Sequence, residues 1–206
     1  MNNKTIAEFT ELLAAKTSVP GGGGASALIG SVGIALGSMV GQFTLGKKKY
    51  ADYEEDIKEL MAKAETIRLA LNECIDEDAK AFEPLSKAYG LPKDAPDRDE
   101  IMEKCLKDAA AVPFEILQLA CEAVELQEGF LKKGSTLMIT DAGTGAAALQ
   151  AAIKGAALNV RVNTKLMKDR QYANELNDKV DEMVNDYLLK AETVYWSAAH
   201  AVSAED

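Results

Sequence analysis

The chain has 206 residues, 48% of them hydrophobic and 27% charged, and a formal net charge of -10 at pH 7. That length holds one domain with a sizeable core, residues 1–206 as a single unit, and the composition is that of a soluble globular chain rather than a disordered one. The negative balance excludes a nucleic-acid partner, because no basic face is available to neutralise phosphates, and Cys74, Cys105 and Cys121 lie too far apart for a disulfide framework or a zinc site.

At the N-terminus, MNNKTIAEF lacks a basic segment followed by an apolar one, so a cytoplasmic location is expected. Thr5 with Glu8 makes a capping-box pattern that starts a short helix carrying Ile6, Phe9, Leu12 and Leu13. A loop from Lys16 to Gly24 ends it. Gly21, Gly22, Gly23 and Gly24, after Pro20, permit φ > 0 and let a ligand approach the main chain without meeting a Cβ. If the next helix starts at about Ala25 or Ser26, its first N–H groups point into that loop, and a carboxylate or phosphate is the expected guest. A plain flexible turn is the competing account. Along this helix Ser26, Gly30, Gly33, Gly37 and Gly41 leave one face almost without side chains, which invites close helix packing rather than a membrane span. It ends in Lys47, Lys48 and Lys49, the densest basic spot of the chain.

From about Ala51 to Tyr89, Ile57, Leu60, Met61, Ala64, Ile67, Leu71, Ile75 and Phe82 form one helical stripe. Asp78 falls on that stripe, where an unpaired carboxylate would be costly to bury, so it calls for partners or a water-filled cavity. Gly90 to Pro96 is a loop. Asp97 with Glu100 then caps a helix reaching about Phe130, with a kink expected at Pro113 and a stop at Gly129 and Gly134. Ser135 to Thr140 is the one strand-like stretch. After Asp141 a second small-residue face follows, Gly145, Ala148, Ala152, Gly155 and Ala156, continued by Asn159 and Asn163, with Arg161 and Lys165 as a basic pair. The two bare faces should pack on each other. A last helix, about Asp169 to Ser203, carries Leu176, Val180, Met183, Tyr187 and Val194 as scaffold. The fold class expected is therefore all-α, a bundle of long helices with closely packed Gly/Ala faces.

Two motifs mislead. GQFTLGKK, Gly41 to Lys48, approaches a Walker A loop but places Lys48 where the magnesium-binding hydroxyl belongs. STLMITDAGTGAAALQ imitates a dinucleotide-binding turn, yet the acidic residue wanted about twenty positions later is missing.

Taken in order, VPGGGGASALIGSVGIALGSMVGQFTLGKKKY, CIDEDAKAF, AAAVPFEILQLACEAVEL and TDAGTGAAALQAAIKGAALNVRVN resemble the cyclodeaminase/cyclohydrolase family. The resemblance covers nearly the whole chain and is weakest at Gly90 to Pro96 and after Asn174. It implies an all-helical homodimer with a folate site that includes the PGGGG loop and the helix after Asp141, and it reduces the strand-like stretch Ser135 to Thr140 to a short extended connector. Gly134 and Ser135 stand where family members commonly show a GN pair.

On that resemblance the expected activity is methenyltetrahydrofolate cyclohydrolase, with formimidoyltetrahydrofolate cyclodeaminase as the near alternative and a non-catalytic helical interaction protein as the distant one. The substrate is an amidinium cation, so hydrolysis needs a water at the bridging carbon and a proton for the departing nitrogen; carboxylates suit both. Asp78 and Asp141 are the catalytic candidates, with a plain helix cap as the other account of Asp141. Pro20, the Gly21 to Gly24 backbone, Lys47, Lys48, Lys49 and Arg161 are expected to hold the anionic tail, and Asn159 and Asn163 the pterin or the attacking water. No metal or cofactor is expected, and no membrane partner.

Overall fold

The computed structural model describes residues 1–203. Six α-helices follow one another, α1 (Ile6–Ala14), α2 (Gly22–Gln42), α3 (Glu54–Ala88), α4 (Arg98–Lys133), α5 (Ile139–Thr164) and α6 (Arg170–Ser203), with 3-10 turns at Lys48–Tyr53 and Thr136–Met138. No strand occurs among the described residues.

Short-range chemistry explains the first helix. The Thr5 side chain accepts from the Glu8 N–H, and the Glu8 carboxylate accepts from the Thr5 N–H, closing the capping box that the sequence announces. Long-range packing explains the second. Each interior glycine costs up to about 1 kcal/mol of helix propensity, yet α2 runs unbroken because its neighbours come close enough to need the missing side chains. A Cβ on Gly33 would stand 3.0 Å from the Gly145 carbonyl, and one on Gly145 would stand 2.8 Å from the Gly33 carbonyl. Gly30 faces Ala152 and Gly22 faces Asn159, so α2 and α5 run antiparallel with their backbones almost touching. Gly41 meets Met61 of α3, and Gly37 meets Gln127 and Phe130 of α4.

Around this pair α3 and α4 add a continuous core. Ile57, Leu71, Leu85, Leu106, Ile116, Leu117, Phe130, Leu149 and Ile153 are fully buried in it, each contributing about 1.5–3 kcal/mol by transfer from water. α6 packs across α5 and α4 through Ala173, Leu176, Val180, Ala191 and Val194.

Several expectations change. The glycine run is not a loop before Ala25: α2 begins at Gly22 with Gly21 as its cap, and Gly46 is the one described glycine with positive φ. Ser135 to Thr140 is neither a strand nor an extended connector: only Ser135 is extended, Thr136–Met138 is a 3-10 turn, and α5 begins at Ile139. Asp97 caps α4 without a side-chain hydrogen bond, and α4 continues through Pro113 and Gly129 to Lys133.

Candidate functional site

Three helices and one loop meet at the N-terminal end of α2. The chain enters it through a cis Val19–Pro20 peptide. Gly21, Gly22 and Gly23 then form one wall of a cavity of about 140 Å³, whose other walls come from Ser18 and Val19, from Asp78 and Phe82 of α3, from Ala109 and Pro113 of α4, and from Asn159, Val162 and Asn163 of α5.

Asp78 is the ionisable group of this cavity. One of its oxygens accepts from the Gly24 N–H at 2.9 Å. The carboxylate lies so close over the first turn that a Cβ on Gly23 would overlap it. The anion at this helix start is thus the chain's own side chain rather than a ligand, and that is what the bare glycines make room for. Burial pushes the Asp78 carboxyl above the usual carboxylate range, with the Gly24 N–H opposing part of the shift. Its acidic neighbours Asp76 and Glu77 point elsewhere, Asp76 pairing with the N-terminal ammonium.

Opposite Asp78 stand the two asparagines. The Asn159 amide nitrogen donates to the Gly155 carbonyl at 2.8 Å, and a Cβ on Gly22 would approach that nitrogen to 2.7 Å. The Asn163 amide nitrogen donates to the carbonyls of Ala109 and Asn159 at 3.1 and 2.9 Å. Both amides are therefore held by their N–H groups against the helix backbones, which fixes their orientation at the cavity wall.

Asp78, Asn159, Asn163, Pro20 and the glycines come together; the three lysines, Arg161 and Asp141 do not join them. Arg161 is two positions from Asn159 and from Asn163, about 200° round the helix, and its guanidinium pairs with Asp181 of α6. Lys47 lies beyond the opposite end of α2, its ammonium donating to the Ser135 hydroxyl at 3.1 Å. Lys48 and Lys49 share that end, with Lys49 over the Tyr50 ring. Asp141 is there as well, in the first turn of α5 but past its cap, Met138, and so not an N-cap. The Tyr50 hydroxyl, which accepts from the Thr136 N–H at 3.0 Å, has its pKa lowered to about 8, first by the Thr136 side chain, then by that N–H, with smaller help from the Ser135 side chain and the Lys49 charge.

Phe82 and Pro113 were not among the expected site residues. Phe82 is one turn after Asp78 and so shares its face, a signal present in the spacing. Pro113 had one too, since a proline inside a helix marks a place where the backbone lacks an N–H, and here it faces the cavity. Val162 carried no such signal.

Elsewhere, ligand atoms of Cys74, Glu77 and Glu115 lie within 4.8 Å of one another. Burial and the surrounding carboxylates push the Cys74 thiol up to about 12, so it offers no thiolate at neutral pH.

Comparison with known proteins places these features in context. The sequence model of the formiminotransferase-cyclodeaminase family matches residues 5–182. A methenyltetrahydrofolate cyclohydrolase of Methylorubrum extorquens is 37% identical over 197 residues, which span 94% of this chain and 95% of that protein. A formimidoyltransferase-cyclodeaminase of Dictyostelium discoideum is 32% identical over 87% of this chain, a match covering 33% of that longer protein. Among solved structures, the formiminotetrahydrofolate cyclodeaminase of Thermotoga maritima has the same fold, with a TM-score of 0.84 at 24% identity over 96% of this chain and 98% of that one.

Proposed function

Because the chain belongs to the formiminotransferase-cyclodeaminase family, we propose that it is a methenyltetrahydrofolate cyclohydrolase, adding water to 5,10-methenyl-tetrahydrofolate to give 10-formyl-tetrahydrofolate. The relatives that match along the chain are enzymes of folate chemistry, and the Methylorubrum protein named for this reaction agrees in length as well as in sequence. The observation that carries the reaction to a residue is Asp78, a carboxylate with a raised pKa on the wall of a small cavity lined by both polar and apolar groups.

The chemistry follows from the substrate's charge. The bridging carbon between N5 and N10 shares a positive charge with both nitrogens and is open to a nucleophile. Ionised Asp78 attracts that cation and accepts a proton from a water as its oxygen bonds to the carbon. The same carboxyl then returns that proton to N5 as the C–N5 bond breaks, while the new hydroxyl on the carbon gives up its remaining proton to solvent to become the carbonyl, so that the formyl group stays on N10 and one proton is released overall. A pKa raised by burial brings the two protonation states closer in energy near neutral pH, which suits a group that takes and returns one proton. Asn159 and Asn163 orient the ring and the water. We take the enzyme to be a cytoplasmic homodimer that needs no metal or cofactor and binds neither nucleic acid nor membrane.

A side-by-side assay with methenyl- and formimino-tetrahydrofolate tests this. Wild-type protein is expected to consume the methenyl compound, seen as loss of its ultraviolet absorbance, and Asp78→Asn to lower that turnover by about 10²-fold or more. Ammonia release from the formimino compound as the faster reaction would move the assignment to cyclodeaminase. Neither turnover nor folate binding by calorimetry would leave the helical interaction protein.

A further inference from the structure

Pro113 takes one hydrogen bond out of the middle of α4, and a side chain of another helix fills its place. A proline has no N–H to give to the carbonyl four residues before it, so the Ala109 carbonyl loses its helical donor. Ala109 and Pro113 are both buried, where a carbonyl without a partner is costly. The donor comes from α5. The Asn163 amide nitrogen gives one hydrogen to the Ala109 carbonyl at 3.1 Å and the other to the Asn159 carbonyl at 2.9 Å. Pro84, the other proline inside a described helix, makes a contrast: it is exposed on α3, and so is Lys80, whose carbonyl it leaves without a helical donor.

This exchange fixes one bond rotation. An amide oxygen can only accept, so Asn163 turned by 180° would set its oxygen against two carbonyl oxygens. In the favoured orientation both donors are used. Oδ1, which accepts no hydrogen bond among the described residues, is the atom left for the cavity that Asn163 lines together with Asp78, Ala109 and Pro113.

Resting on the function proposed above, we infer that Pro113 is a positioning residue of the reaction: by withholding an N–H it reserves the Ala109 carbonyl for Asn163, and so aims the Asn163 oxygen at the attacking water. Asp78 takes one proton of that water. Asn163 Oδ1 accepts a hydrogen bond from the other O–H, which stays on the oxygen as the C–O bond forms. Held by two acceptors, the water turns a lone pair toward the bridging carbon. An N–H at position 113 would claim the Ala109 carbonyl for the helix and leave the amide free to turn its donors to the water instead.

Pro113→Ala, Asn163→Ala and the double variant test this together. Pro113→Ala regains a helical N–H, so its melting temperature is expected to equal or exceed that of wild type, while kcat for methenyl-tetrahydrofolate falls on the order of 10-fold and KM stays within about threefold. A proline that served the fold alone would give the opposite pair, lower stability with unchanged kcat. Asn163→Ala is expected to lose kcat at least as far, and the double variant no further, because both changes remove the same contact. Asn163→Asp does not depend on how position 113 tolerates change. It keeps an oxygen but loses both donors, and is expected to lose kcat as Asn163→Ala does.

Full kcat in Pro113→Ala, losses that multiply in the double variant, or full kcat in Asn163→Asp would each overturn the role of Pro113. Wild-type protein inactive on methenyl-tetrahydrofolate would instead overturn the assigned reaction, and the contact is then read without substrate. In nitrogen-15 NMR spectra the Asn163 side-chain amide, identified by its loss in Asn163→Ala, is expected to exchange its hydrogens slowly in wild type and fast in Pro113→Ala. Equal exchange in the two would overturn the positioning role as well.

Discussion

Asp78 is subject to two opposed effects, burial that disfavours its charge and a helix N-terminus that favours it, and burial is the larger. The sign has a consequence for stability. A folded pKa above the unfolded value means that protonated Asp78 favours the folded state at low pH, and this contribution is lost as pH rises through the folded pKa. Asp78→Asn has no such loss. Thermal unfolding from about pH 4 to pH 7 is expected to show the wild-type midpoint falling relative to that of the variant; the opposite trend would mean that the helix start dominates. Gly23→Ala probes the same group from the other side. Its Cβ overlaps the Asp78 carboxylate, the movable end of a side chain, so the fold should survive while the carboxylate leaves the Gly24 N–H. A turnover loss of about 10²-fold with a melting temperature close to wild type is expected. At this scale Asp78 was legible because a carboxylate interrupts an apolar period. That the glycine run serves Asp78 was not, because the two are 54 positions apart in sequence.

Between elements the governing contact is α2 on α5. Gly145→Ala would place a Cβ 2.8 Å from the Gly33 carbonyl and against the Gln127 amide, which donates to the Ala142 carbonyl at 2.8 Å. Backbone and a buried hydrogen-bonded amide do not yield as a free side chain does. A loss of about 1–3 kcal/mol is expected from overpacking, less up to about 1 kcal/mol regained in helix propensity, read from urea unfolding. Gly21→Ala, with nothing within 4 Å of its Cβ, should change little and serves as the control. The pairing of the two bare faces was legible in the four-residue recurrence of small residues. The start of α2 was not: propensity alone argues against beginning a helix with three glycines, and only the groups packed against Gly22 and Gly23 make that start favourable. Ser135 to Thr140 misled for a related reason, since β-branched Thr136, Ile139 and Thr140 suggest a strand, and among the described residues there is no strand for it to pair with.

For the whole molecule, the side-by-side assay with methenyl- and formimino-tetrahydrofolate is the decisive measurement, because it separates the two activities for which the relatives that match along the chain are named. The helical class, the single-chain core and the small-residue faces were determined by the sequence itself, since they rest on local periodicity and on side-chain size. Family membership was determined there too, by motifs spread along nearly the whole chain. Which candidates meet was decided only by the tertiary structure. Helical rise carries Lys47 and Asp141 to the end of the α2–α5 pair remote from Asp78, and helical rotation turns Arg161 toward Asp181. An antiparallel pair of helices brings Asn159 onto Gly22 while sending each helix's other end away, and no sequence spacing expresses that until the direction of packing is known.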